Sequence, residues 1–112
     1  MTTVAFHMEG DRITGFDARG HSGYAEAGAD IVCAAVTSAV RLVEATVNDV
    51  LGLAAPVKVR ETEITLTIPG GLGEQSEETC QTLLASLMVY LSQLQEEYPE
   101  NILVLDEDGS TS

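Results

Sequence analysis

Positive charge is scarce in this sequence. The 112 residues include five Lys or Arg against eighteen Asp or Glu, a formal net charge of −13. Phosphate backbones are held by clustered Lys and Arg, so the shortage excludes direct nucleic-acid binding as a function class. It also argues against docking on an anionic membrane. An acidic body suits a basic partner or substrate, because opposite charge raises the encounter rate. It serves solubility equally well. Cysteine is scarce too, with only Cys33 and Cys80 and no C-x-x-C. Two such thiols in a reducing compartment predict no structural disulfide. With His7 and His21 far from either cysteine in sequence, no metal site is expected. The start, MTTVAFHMEGDR, lacks the basic residues and apolar run of a secretory signal. No apolar run is read as reaching the ~20 residues that span a bilayer. These lacks together predict a cytoplasmic protein with no membrane association. "PGGLG" at residues 69–73 lacks the G-K-[ST] ending of a phosphate loop, and no cofactor is expected.

What is present predicts one globular domain. Hydrophobic residues make up 45% of the chain. A chain of this length buries roughly 60–70% of its unfolded surface, enough to fold without staples. Residues 2–8 and 12–19 alternate as strands around the turn at residues 9–11, and a glycine, Gly15, marks a bulge. A loop over residues 20–29 follows. Asp30 then precedes a run over residues 31–53, read as a helix that Asp30 caps and Gly52 closes. Its many valines weaken intrinsic helicity, so it must depend on packing. Beyond Pro56, residues 56–61 and 63–68 read as a second hairpin, with Val57, Val59, Ile64, Leu66 and Ile68 on one core face. Residues 76–98 read as a second helix with acids in its first turn and an apolar stripe of Cys80, Leu83, Leu84, Leu87, Leu91, Leu94 and Tyr98. Residues 101–105 read as a last strand. The fold class is α+β, order ββαββαβ, with two helices packed on a mixed or antiparallel sheet. The domain covers residues 1–106, and residues 107–112 form an acidic tail predicted to be disordered.

The residues with chemical potential sit in GHSGYAEAGADIVCAAV, residues 20–36, which sets His21 and Cys33 twelve positions apart. If Asp30 caps the helix, Cys33 lies in its first turn. There the unpaired amides and the helix dipole favour a thiolate. A nearby imidazole would favour it further, as in cysteine hydrolases. The same amides could stabilise the oxyanion formed when sulfur attacks a carbonyl. A cysteine on an apolar helix is also an ordinary core residue, and a histidine beside glycines an ordinary turn residue. Residue types alone leave both readings open. Asp30 has two readings as well, helix cap or orienting partner of His21. Gly20, Ser22, Gly23 and Gly28 give the loop freedom to move over a substrate. Cys80 and His7 read as core and structural groups.

The same stretch resembles the ribosomal-processing cysteine protease family, Prp. Gly20-His21-Ser22 fits its G-H-small element, with serine where alanine is the commoner residue. Residues 28–37, GADIVCAAVT, fit its G-x-D-I-V-C-A-A-V-[S/T] element. Length and element order agree, so the resemblance covers nearly the whole chain. It implies a cysteine endopeptidase of the bacterial cytoplasm, with Cys33 as nucleophile and His21 as general base. The implied substrate is the precursor of a large-subunit ribosomal protein, with a basic mature N-terminus. A short N-terminal extension is removed by cleavage after an aromatic residue, so an apolar pocket beside Cys33 is implied. The resemblance also implies a homodimer. Rival readings are a non-catalytic ribosome-assembly or protein-interaction module of the same fold, and another thiol enzyme such as an acyltransferase.

Overall fold

The computed structural model describes residues 1–20, 27–60 and 62–108. The elements run β1 (Thr2–Glu9), β2 (Arg12–Arg19), α1 (Ala27–Glu44), a π-helical turn (Ala45–Val50), β3 (Val57–Arg60), β4 (Glu63–Thr67), α2 (Glu74–Glu97) and β5 (Ile102–Asp108). The sheet order is β3-β4-β2-β1-β5. β5 pairs parallel with β1 and every other pairing is antiparallel, so the sheet is mixed.

The two hairpins follow from alternation. Val4, Phe6, Phe16, Ala18 and Leu66 are buried on the sheet face beneath the helices. Phe6 and Phe16 are cross-strand partners with ring centroids 6.0 Å apart, close enough for a tilted aromatic pair. The bulge falls where the glycine predicted it: His7 pairs with Gly15, Met8 pairs with Ile13, and Thr14 is skipped. Gly15 answers a steric demand, because a Cβ there would stand 2.2 Å from the Leu66 carbonyl oxygen.

The helices hold to this sheet by different means. On α1 and the turn after it, Val32, Val36, Val40, Val43 and Val47 form one buried line at helical spacing. α2 buries Cys80, Leu84, Leu87, Leu91 and Leu94 and adds polar clamps. The Gln81 amide accepts from the Ile13 N–H and donates to the Ile13 carbonyl, both at 2.8 Å, closing the backbone beside the bulge. Arg12 makes a forked pair with Glu77 at 2.7 and 3.1 Å and also donates to the Pro69 carbonyl. The hydrogen bond to Glu77 raises the Arg12 pKa against the opposing cost of burial. Gln95 accepts from the Val104 N–H of β5 at 2.7 Å.

Several sequence expectations need correction. α1 starts at Ala27, so Asp30 lies inside the helix and does not cap it, and Gly28 belongs to the helix rather than to the loop. Neither Gly28 nor Ala29 marks a helix start by type, whereas Asp30 imitates one. The run ends close to its predicted stop but as a π-turn, with the Thr46 hydroxyl donating to the Leu42 carbonyl and the Leu51 N–H reaching the Thr46 carbonyl. Residues Ile31–Val50 are long and apolar enough, by length and composition, to cross a membrane, contrary to the sequence reading. In the fold their valine line is spent on the sheet. Val59 keeps to the face of Val57 and Ile64 but is 70% exposed rather than in the core, because β3 is an edge strand. β5 continues past residue 106: Glu107 and Asp108 pair with His7 and Met8, so the domain takes in part of the expected tail. Residues 109–112 lie outside the described residues.

Candidate functional site

The conserved geometry of an antiparallel ladder brings the ends of β2, β3 and β4 together. Arg19 pairs with Glu63, and Glu63 with Arg60. Gly20 comes next, with φ of 86° in the left-handed region that glycine tolerates. Its N–H donates to the Thr62 carbonyl at 3.0 Å, and a Cβ on it would stand 2.4 Å from the Met1 carbonyl oxygen. Gly20 is thus wedged between the chain start and the β3–β4 turn. His21, Ser22 and Gly23 follow it and lie outside the described residues, as does the expected motion of that loop.

α1 begins at this same end of the sheet and carries Cys33, which is half-buried between the buried Val32 and the exposed Ala34. Cys33 is the seventh residue of α1. That places it in the second turn, beyond the four leading amides that lack intrahelical partners. The first-turn position expected for it is therefore corrected. Those amides belong to residues 27–30, one turn earlier along the helix.

The flanks of α1 differ. At about 100° per residue, Ala35, Ala39 and Leu42 point to one flank and Cys33, Thr37 and Glu44 to the other. The first flank faces α2 and, with Leu83, Leu87 and Tyr90, lines an apolar cleft of about 440 Å³. Cys33 points away from this cleft. The apolar pocket implied beside Cys33 is therefore a different place from the cleft between the helices.

The other reactive groups have structural settings. Cys80 is fully buried, and burial, reinforced by Glu77, pushes its thiol pKa up while Arg12 opposes. His7 lies on the sheet face away from the helices. Its Nε2 is 3.0 Å from Asp17 Oδ2 and its Nδ1 is 3.8 Å from Glu107 Oε2. The Thr65 hydroxyl donates to the other Asp17 oxygen. This polar row across β4, β2, β1 and β5 was missed in the sequence, although Asp17 alternates with the core residues Phe16 and Ala18. Among the described residues no group of three or more His, Cys, Asp or Glu could hold a metal ion.

No curated relative matches the sequence. Among solved structures, SMU.848 from Streptococcus mutans is similar with a TM-score of 0.82 and 20% identity, over 96% of this chain and 95% of that one. The ribosomal processing protease Prp from S. aureus with a substrate peptide aligns with a TM-score of 0.77 and 23% identity, over 96% of this chain and all of that one. The same protease with a covalently linked product peptide aligns at 0.74 and 25% identity, with the same coverage. A family model described as cysteine protease Prp matches residues 1–103, a span that contains both His21 and Cys33. The chain belongs to the cysteine protease Prp family.

Proposed function

We propose that this protein is a ribosomal processing endopeptidase that uses Cys33 as nucleophile and His21 as base. The observation that carries the reading is the family match over residues 1–103, which spans G-H-S and D-I-V-C together. The S. aureus protease of the same fold was captured with substrate and with covalently linked product. In the proposed reaction His21 takes the proton from the Cys33 thiol, and the sulfur attacks the scissile carbonyl. The tetrahedral intermediate collapses as the imidazolium gives that proton to the leaving amine. Water, deprotonated by His21, then attacks the thioester and releases the new C-terminus. Asp30, one turn before Cys33 on the same helix, is read as a group that orients His21.

The substrate is the precursor of a large-subunit ribosomal protein, cleaved after an aromatic residue in the cytoplasm. Net charge of −13 supports capture of a basic ribosomal protein. The enzyme is read as a homodimer. The exposed Leu42 and Tyr90 that line the cleft between α1 and α2 support that reading, as they form apolar surface that a second copy would cover.

Incubation with such a precursor tests the function. Wild type is expected to release the N-terminal extension, and Cys33→Ala to lose at least about a thousandfold in rate, as removal of a covalent nucleophile does. Cleavage by both proteins, or by neither, overturns the assignment.

A further inference from the structure

The two edges of the sheet are treated differently. On β5, the Val104 N–H is taken by Gln95, and Asp106 and Glu107 line the outer edge with negative charge. Such devices discourage strand pairing. On β3 the register leaves an open pattern. The Thr67 N–H donates to the Pro56 carbonyl, so positions 56, 58 and 60 exchange bonds with β4. Val57 and Val59 therefore turn their N–H and C=O groups outward, where they have no partner among the described residues. The Val59 side chain lies on the helix side of the sheet, opposite Ile64, and is 70% exposed. Lys58 and Arg60 lie on the other side and are exposed.

This open edge lies on the Cys33 side of the molecule. α2 is clamped to β2 and β5 through Gln81 and Gln95, so α1 covers the β4–β3 half, where Val57 and Ile64 pack against the core. The flank of α1 that faces away from α2, and carries Cys33 and Thr37, overlooks β3. The Gly20–Thr62 bond fixes the β3–β4 turn beside the strand end from which the chain leads to His21.

We propose that the substrate binds as an added strand on β3, bonded to the outward amides and carbonyls of Val57 and Val59, so that its backbone runs past Cys33. This rests on the protease reading. Backbone pairing supplies affinity, and alternate side chains supply selectivity. The added strand would set an apolar side chain against Val59 and uncharged polar ones against Lys58 and Arg60, so the paired stretch belongs to the extension that is removed rather than to the basic mature N-terminus.

The test is a scan of single backbone N-methyl groups along a peptide that wild type cleaves. Methylation at every second residue of the paired stretch is expected to raise KM about tenfold, with little effect at the residues between. Val59→Pro removes one outward N–H and leaves the β4 ladder intact. It is expected to raise KM similarly, without changing the melting temperature or the alkylation rate of Cys33. If Val59→Pro fails to fold, the peptide scan on wild type still decides. A scan without alternation overturns the proposal while cleavage itself leaves the protease reading standing. If wild type cleaves nothing, the protease reading fails, and calorimetric binding of the same peptides then judges the edge. Alternating loss of affinity supports it; absence of binding or of alternation overturns it.

Discussion

The two helices lie on one sheet and have opposite designs. α2 is held by leucines and by polar clamps at both ends, through Glu77 and Gln81 to the start of β2 and through Gln95 to β5. α1 meets the sheet through a line of buried valines, Val32, Val36, Val40 and Val43, whose side chains offer packing and no polar group. A β-branched helix has little intrinsic stability and depends on its packing. The scaffold helix is thus fixed by packing and by polar clamps to the sheet, whereas the hold of the sheet on the helix that carries Cys33 comes chiefly from its buried valines. Local opening is set by such differences in anchoring.

Substitution in each helix breaks this comparison most strongly. Leu84→Ala in α2 is expected to cost about 2–5 kcal/mol by cavity formation, and Val36→Ala in α1 about 2 kcal/mol, since fewer atoms are lost. Both sites are fully buried, and denaturant unfolding measures the two losses. Val36→Ala is also expected to speed hydrogen exchange in α1 more than in α2. Equal acceleration in both helices would show that they open as one unit.

A smaller effect is expected from the clamps. Gln81→Ala strips partners from the Ile13 N–H and carbonyl and is expected to cost about 1–3 kcal/mol, read from the shift in the urea midpoint. No shift would mean that water replaces the clamp.

The two cysteines sharpen the contrast without altering the fold. Cys80 is buried with its pKa pushed up, whereas Cys33 is half-buried. At neutral pH alkylation is expected at Cys33 first, with Cys80 reacting only on unfolding, as peptide mapping would show. The sign of the linked pH effect follows. Above pH 9.0, the ordinary thiol value, the unfolded chain releases the Cys80 proton before the folded one does. Stability therefore falls as pH rises through that range, and Cys80→Ala should flatten this part of the curve. A curve unchanged by the substitution would remove Cys80 as its source.

Much of this was legible because local patterns carry it. Leucines at helical spacing announced the buried side of α2, and alternation announced both hairpins. Gly15 announced a bulge, though not that the Leu66 carbonyl requires a glycine there. The G-H-S and D-I-V-C elements announced which residues to join. The start of α1 was misread because Asp30 has the chemistry of a cap without the position. β5 was cut short because Asp106, Glu107 and Asp108 look like solvated tail. Pairing with β1 and the approach of Glu107 to His7 set its true length.

The sequence by itself determined the element order, the two hydrophobic faces, the excess of negative charge and the presence of His21 and Cys33 in one motif. These depend on residue type and short spacing, which local sterics and burial preferences read directly. Only the tertiary structure decided that Cys33 lies in the second turn of α1, on the flank away from α2, and that β3 keeps an open edge while β5 is shielded. Those outcomes depend on which strands become neighbours and where each helix lands, and long-range packing selects them from arrangements that local pattern leaves equal.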